Sequence, residues 1–166
     1  MAGSYIDTAR RLFSRASKWV WLERSIRTAL GAAGSFAIAR LLTLPEAFWA
    51  SVTTLIVMQS TLGAAWTVSK QRLVGTALGA VAGALVATWA APGVVVYGLG
   101  VLALGLLCGL LRLDQTAYRF AGITLTIVLL VVRSQGPWLI AAHRFVEVSL
   151  GIAVGLGFAA FWPPRE

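Results

Sequence analysis

Residues 72–89 read RLVGTALGAVAGALVATW, and residues 144–162 read RFVEVSLGIAVGLGFAAFW. Each stretch opens on an arginine and runs apolar to a tryptophan. Glycine falls seven and eleven residues after the arginine in both, at Gly79 and Gly83 and then at Gly151 and Gly155. The two arginines stand 72 positions apart, 144 minus 72. Applied without gaps, the same offset pairs Arg40 with Arg112, Leu41 with Leu113, Phe48 with Phe120, Thr54 with Thr126 and Trp66 with Trp138. Val74, Leu78 and Ala87 also meet identical residues. The polar and aromatic matches carry more weight than the aliphatic ones in so apolar a chain, and together they predict an internal repeat.

Composition decides what kind of repeat this is. Of 166 residues, 58% are hydrophobic and 12% charged, with a mean hydropathy of +0.82. A water-soluble domain carries about twice that charge. Apolar runs recur along nearly the whole length, so the solvent for most of the chain is expected to be lipid. A net charge of +8 could indicate nucleic acid, but the basic residues sit at the ends of apolar runs, as membrane anchors do, and no nucleic acid is expected. The single cysteine, Cys108, lies inside an apolar run and reads as packing material.

The fold class predicted is all-α: an integral membrane protein of six transmembrane helices, preceded by an interfacial amphipathic helix. Residues 5–20 place Tyr5, Ile6, Ala9, Leu12, Phe13, Ala16, Trp19 and Val20 on one helical face and Arg10, Arg11, Arg15 and Lys18 on the other. That pattern suits the surface of an anionic leaflet, so residues 1–25 are assigned to a basic cytoplasmic-face helix. No cleavable leader is expected in so basic a start. The spans are predicted at 26–44, 47–69, 73–91, 94–111, 116–132 and 145–162, within a module 26–162, followed by a tail at 163–166. Each is about 17–23 residues, enough to cross a bilayer roughly 30 Å thick. Pro45 and Glu46 read as a helix start, and Asp114 as an N-cap.

Three crossings per half, an odd number, turn the second half upside down. Halves of about 26–91 and 94–162 therefore predict a 3+3 inverted repeat, a plan common among secondary transporters. Basic residues Arg10, Arg11, Arg15, Lys18, Arg24, Arg27, Lys70, Arg72, Arg112, Arg119 and Arg165 fall on one side, against Arg40, Arg133 and Arg144 on the other. Positive charge favours the cytoplasm, which predicts a multi-pass protein with both termini inside.

Gly75, Gly79 and Gly83 share one helix face, as do Gly151 and Gly155, and such faces let backbones approach closely in lipid. Arg72 and Arg144, with Arg40 and Arg112 as their secondary partners, are the candidate anion contacts, because guanidinium groups grip carboxylates with a planar fork. Arg144 and Glu147 are three residues apart and His143 and Glu147 four, so all three can share a helix face. That cluster is read either as a self-neutralising ion pair or as a proton-coupling site with Glu147 as carrier and His143 as neighbour. No metalloprotease, nucleophile-elbow or phosphate-loop signature is present, so no catalytic residue, metal or cofactor is expected.

The block LPEAFWASVTTLIVMQSTLG (44–63) followed by RLVGTALGAVAGAL (72–85) resembles the membrane module of the fusaric acid resistance protein-like family, which overlaps the aromatic acid exporters. Pro45, Phe48, Trp49, Ala50, Arg72, Gly75, Thr76 and Gly79 carry the resemblance, and RFVEVSLG resembles the start of the family's last membrane helix. The resemblance covers about residues 27–160. It implies a proton-driven exporter of aromatic or other organic carboxylates in a bacterial inner membrane. Family members often carry a large cytoplasmic domain or a second membrane module, so a lone module is expected to form a homodimer or to work with an accessory subunit. A passive anion channel like the plant aluminium-activated malate channels, and a non-transporting scaffold subunit, remain the alternatives.

Overall fold

The charge-free run 47–69 does not form one helix. In the computed structural model, which describes residues 2–58, 61–131 and 135–162 and side chains from Trp19 onward, the second helix stops at Val57. Thr61 then starts the third, its side chain accepting the Ala64 N–H at 3.2 Å, so the polar Thr61, not the basic pair Lys70 and Arg72, marks the boundary. The described residues form six helices: α1 (Ala2–Leu41), α2 (Phe48–Val57), α3 (Leu62–Trp89), α4 (Val94–Leu110), α5 (Gln115–Leu130) and α6 (Pro137–Phe161). Among the described residues there are no strands, and the all-α expectation holds.

The helices differ in length from the six even spans expected. With 28 and 25 residues, α3 and α6 are long and apolar enough to cross a membrane. By contrast α2 has 10 residues, about 15 Å of helix and half a bilayer at 1.5 Å per residue. Both α3 and α6 begin well before the arginines that were expected to open them. Pro137 supplies the preset backbone of a first turn, so the expected long loop 133–143 is mostly helix and His143 and Arg144 lie inside α6. At the other end, α1 runs unbroken from Ala2 through the predicted junction between interfacial helix and first span. The amphipathic face of residues 5–18 and the tail 163–166 lie outside the described side chains and residues, as does Arg133.

Packing is organised around a central pair. Helix α3 lies against α5 and α6, α2 against α6, α1 against α2 and α6, and α4 against α5 and α3. One apolar cluster joins Ala65 of α3 to Ile152 and Ala159 of α6, and another joins Ala80 and Ala84 to Ile140 and Ala141. The start of each helix thus meets the end of the other, so α3 and α6 run antiparallel.

The glycine faces make the closest approaches. A Cβ at Gly75 would strike the Ala117 carbonyl oxygen, and one at Gly79 that of Ala121. At Gly83 it would meet the Val128 Cβ at 2.9 Å. Likewise Gly151 sits on the Ala50 carbonyl, and a Cβ at Gly155 would reach Val57 at 2.8 Å. Only hydrogen fits in such backbone-to-backbone contact, so α3 sits against α5, and α6 against α2, at distances no side chain permits.

Two helix ends repeat a cap. Past α1, Leu44 N–H donates to Ala39 and Thr43 N–H to Arg40; past α4, Leu113 N–H donates to Cys108 and Arg112 N–H to Gly109. Both are Schellman closures, with Thr43 (φ 55°) and Arg112 (φ 53°) in the left-handed position usually given to glycine. Arg40 therefore sits inside the last turn of α1, whereas Arg112 lies beyond α4. The sequence match between them does not carry over to equivalent cap positions.

Candidate anion site

The turn into α2 and the first halves of α3 and α6 bring the ionisable residues together. Arg72 is the eleventh residue of α3 and Arg144 the eighth of α6, so each is one to three turns inside the helix, with 4% and 2% exposure. They line one cavity of about 10 Å³, with Trp49 from α2, Thr76 from α3, Phe120, Ile123, Thr124 and Ile127 from α5, and Val148 from α6. That volume holds about one water molecule. Thr76 and Val148 are themselves 72 positions apart, as the arginines are, so two offset-related pairs meet across the cavity.

The surroundings of the two guanidinium groups differ. Arg144 pairs with Glu46, lies 3.3 Å from a Glu147 carboxylate oxygen through Nη1, and stacks 4.5 Å over the Trp49 ring. The cluster is cross-linked: Glu46 N–H donates to Glu147 Oε1 at 3.0 Å, and Trp49 Nε1–H to Glu46 Oε2 at 2.9 Å. Glu147 is buried, at 1% exposure, whereas the Glu46 side chain is 21% exposed, so Arg144 bridges one buried and one partly exposed carboxylate.

Arg72 has no such partner. Its Nε and Nη2 both donate to Thr53 Oγ1, at 3.1 and 3.0 Å, and its guanidinium lies 4.7 Å from the Phe120 ring centre. Thr53 Oγ1 in turn donates to the Trp49 carbonyl at 2.8 Å, which fixes the acceptor. Among the described residues no carboxylate pairs with Arg72. A buried charge of this kind is costly unless an opposite charge reaches it. The Thr53 contacts use the Nε and Nη2 edge of the fork and do not involve Nη1.

Of the other candidates, Arg40 and Arg112 are exposed at helix ends and do not line the cavity. His143 is half-buried and is not among the partners the described residues give Glu147. Asp114 stands at the N-cap of α5, but its carboxylate accepts from Gln71 Nε2 at 2.8 Å and does not cap the helix. Among the described residues, no group of three or more His, Cys, Asp and Glu could hold a metal.

Sequence reasoning missed Glu46 and Thr53. Glu46 reads locally as a helix-start acid, and only the fold carries it to Arg144, 98 residues away. Charge balance was the available signal, since the chain has 6 acidic residues against 14 basic ones and an acid between two apolar runs needs a cation. Nothing in the sequence singles out Thr53 from its neighbour Thr54.

The fusaric acid resistance protein-like family matches residues 32–158, which hold both arginines, Glu46, Glu147 and every residue lining the cavity. The chain belongs to this family. It is also similar to the inner membrane protein YeeA of Escherichia coli (strain K12), 30% identical over 141 residues. That alignment covers 84% of this chain and 40% of YeeA, so the chain spans well under half the length of the curated relative it matches. No solved structure matches. The fusaric acid resistance-like assignment makes this a membrane protein, and it explains the apolar exterior. Helix α4 turns Val94, Val95, Leu99, Leu102, Leu106 and Leu110 outward, while Trp89 and Phe161 stand exposed at the ends of α3 and α6, where aromatic residues mark a membrane interface.

Proposed function

We propose that the chain is a bacterial inner-membrane transporter module that moves small organic carboxylates, aromatic ones among them, with Arg72 as the primary anion contact. The observation that carries this is the buried, carboxylate-free Arg72 guanidinium on the wall of a cavity. Trp49 and Phe120 on that wall offer flat apolar faces to an aromatic ring. Efflux is in keeping with the family and with the inner-membrane name of the relative.

The transport cycle follows from a 3+3 inverted repeat with both termini in the cytoplasm. Exchanging α1 with α4, α2 with α5 and α3 with α6 leaves the set of helix contacts unchanged, which supports such a repeat. The short α2, about 15 Å of helix, is in keeping with the broken helices that line transporter sites. A cavity with room for about one water favours an occluded state of a transporter over an open anion channel. Arg144 is held by Glu46 and Glu147, so it serves the coupling cluster more than the anion, with the buried Glu147 as the proton carrier. Pairing into a homodimer, or with an accessory subunit, completes the proposed transporter.

The test is benzoate flux into proteoliposomes with a pH gradient imposed and the voltage clamped. Uphill movement that follows the pH gradient and vanishes in Arg72→Gln is the expected result. Downhill-only flux would convert the reading to a channel, and flux indifferent to Arg72 would remove the site.

A further inference from the structure

Buried threonines in helices ordinarily donate back to a carbonyl of the preceding turn. Thr53, Thr54 and Thr124 do so, to Trp49, Ala50 and Phe120. Thr76 is as deeply buried, at 2% exposure, yet among the described residues its hydroxyl takes part in no hydrogen bond. A buried hydroxyl left in this way lowers stability, so its presence needs a reason.

The cavity wall supplies one. Thr76 lines the cavity together with Arg72, which lies one helical turn before it on the same face of α3. Helical side chains lean toward the N-terminus, so that of Thr76 leans toward the turn of Arg72. The other polar groups on the wall are engaged: Thr124 with the Phe120 carbonyl, Trp49 Nε1–H with Glu46, and Arg144 with Glu46 and Glu147. Across the cavity, 72 positions further along the chain, stands Val148, which has the shape of a threonine with a methyl group in place of the hydroxyl. The two walls therefore differ toward an anion. The α3 wall offers a hydroxyl beside a carboxylate-free guanidinium, and the α6 wall a methyl group beside a paired one.

We propose that Thr76 is a ligand contact and the specificity-determining residue of the Arg72 site. Its hydroxyl donates to a carboxylate oxygen of the substrate while Arg72 supplies the opposite charge, and the apolar part of the substrate faces Val148. This rests on the carboxylate-transport reading above and deepens it, because it fixes which way round the substrate lies: carboxylate toward α3, ring toward α6.

Radiolabelled benzoate binding to the detergent-solubilised full chain tests it, together with the thermal midpoint without ligand. Thr76→Val keeps the shape and removes the hydroxyl. It is expected to weaken benzoate binding about 10- to 100-fold, the loss of one hydrogen bond to a charged group, with a midpoint at or above that of the wild type. Thr76→Ser keeps the hydroxyl and removes a buried methyl group, so it is expected to retain benzoate binding while its midpoint falls. Thr88→Val, which removes a hydroxyl bonded to the Ala84 carbonyl outside the cavity, leaves benzoate affinity unchanged. Wild-type affinity in Thr76→Val overturns the proposal and leaves the transport reading standing. Affinity that follows the midpoint, lower in Thr76→Ser than in Thr76→Val, also overturns it, since that is the order of a packing residue. A wild-type chain that binds no benzoate sinks both.

Discussion

Replacing Gly79 with alanine tests the helix packing that holds the site. The new Cβ would collide with the Ala121 carbonyl oxygen and stand 2.9 Å from both the Cα and the carbonyl carbon of Ala121. All three are backbone atoms, which cannot swing aside, so α3 must back away from α5 or tilt. Overpacking of this kind costs about 1–3 kcal/mol. Alanine also favours helix over glycine by about 1 kcal/mol, which offsets part of that cost. Gly98→Ala removes the ambiguity: it makes the same exchange in a helix where a Cβ meets nothing within 4 Å. Propensity then cancels between the variants, and the steric cost remains as a difference of about 1–3 kcal/mol, a factor of roughly 5 to 150 in the unfolding constant. Reversible denaturation in mixed micelles, followed by helical circular dichroism, reads that difference. Equal stability of Gly79→Ala and Gly98→Ala would refute the close approach of α3 to α5.

Thr53→Val keeps the shape but strips Arg72 of its acceptor; it is expected to weaken carboxylate binding about tenfold or more in equilibrium binding while Thr54→Val does not, because a hydrogen bond to a charged group is worth about 1.5–3 kcal/mol. Arg144→Met takes the cation from the buried Glu147 and should cost about 3–5 kcal/mol in the same micelle assay, whereas Arg144→Met combined with Glu147→Gln recovers much of it; no recovery would mean that the cluster is not a coupled unit. Glu147→Gln is expected to leave downhill benzoate flux in proteoliposomes and to abolish its dependence on an imposed pH gradient. Retained uphill transport in that variant would move proton coupling elsewhere.

Much of the fold was legible because membrane helices are governed by local rules. An apolar run long enough for a bilayer, basic residues at its ends and glycine at four-residue spacing are features of neighbouring residues, and α3, α4 and α6 follow from them. Their ends were less legible. Arg72 looks like a helix boundary because a charge in lipid is costly, yet inside the bundle Thr53 and Phe120 receive it and the helix runs on. The break between α2 and α3 hid in an uncharged stretch, since Thr61 starts α3 by capping geometry and not by charge.

For the site, the sequence by itself determined which residues could matter: Arg72, Arg144 and Glu147 carry charge in apolar runs, and that is costly wherever they fold. Only the tertiary structure decided how those charges are settled. Glu46 meets Arg144 because the α1–α2 turn docks on α6, and Thr53 meets Arg72 because the broken helix α2 lies beside both. Arg40 and Arg112 match in sequence yet stay on the surface. Charge is a property of a residue, but neutralisation depends on which other chain segment arrives within about 4 Å of it. Local pattern does not carry that information, and so the two arginines that look alike in sequence end in different states, one against carboxylates and one against a threonine hydroxyl.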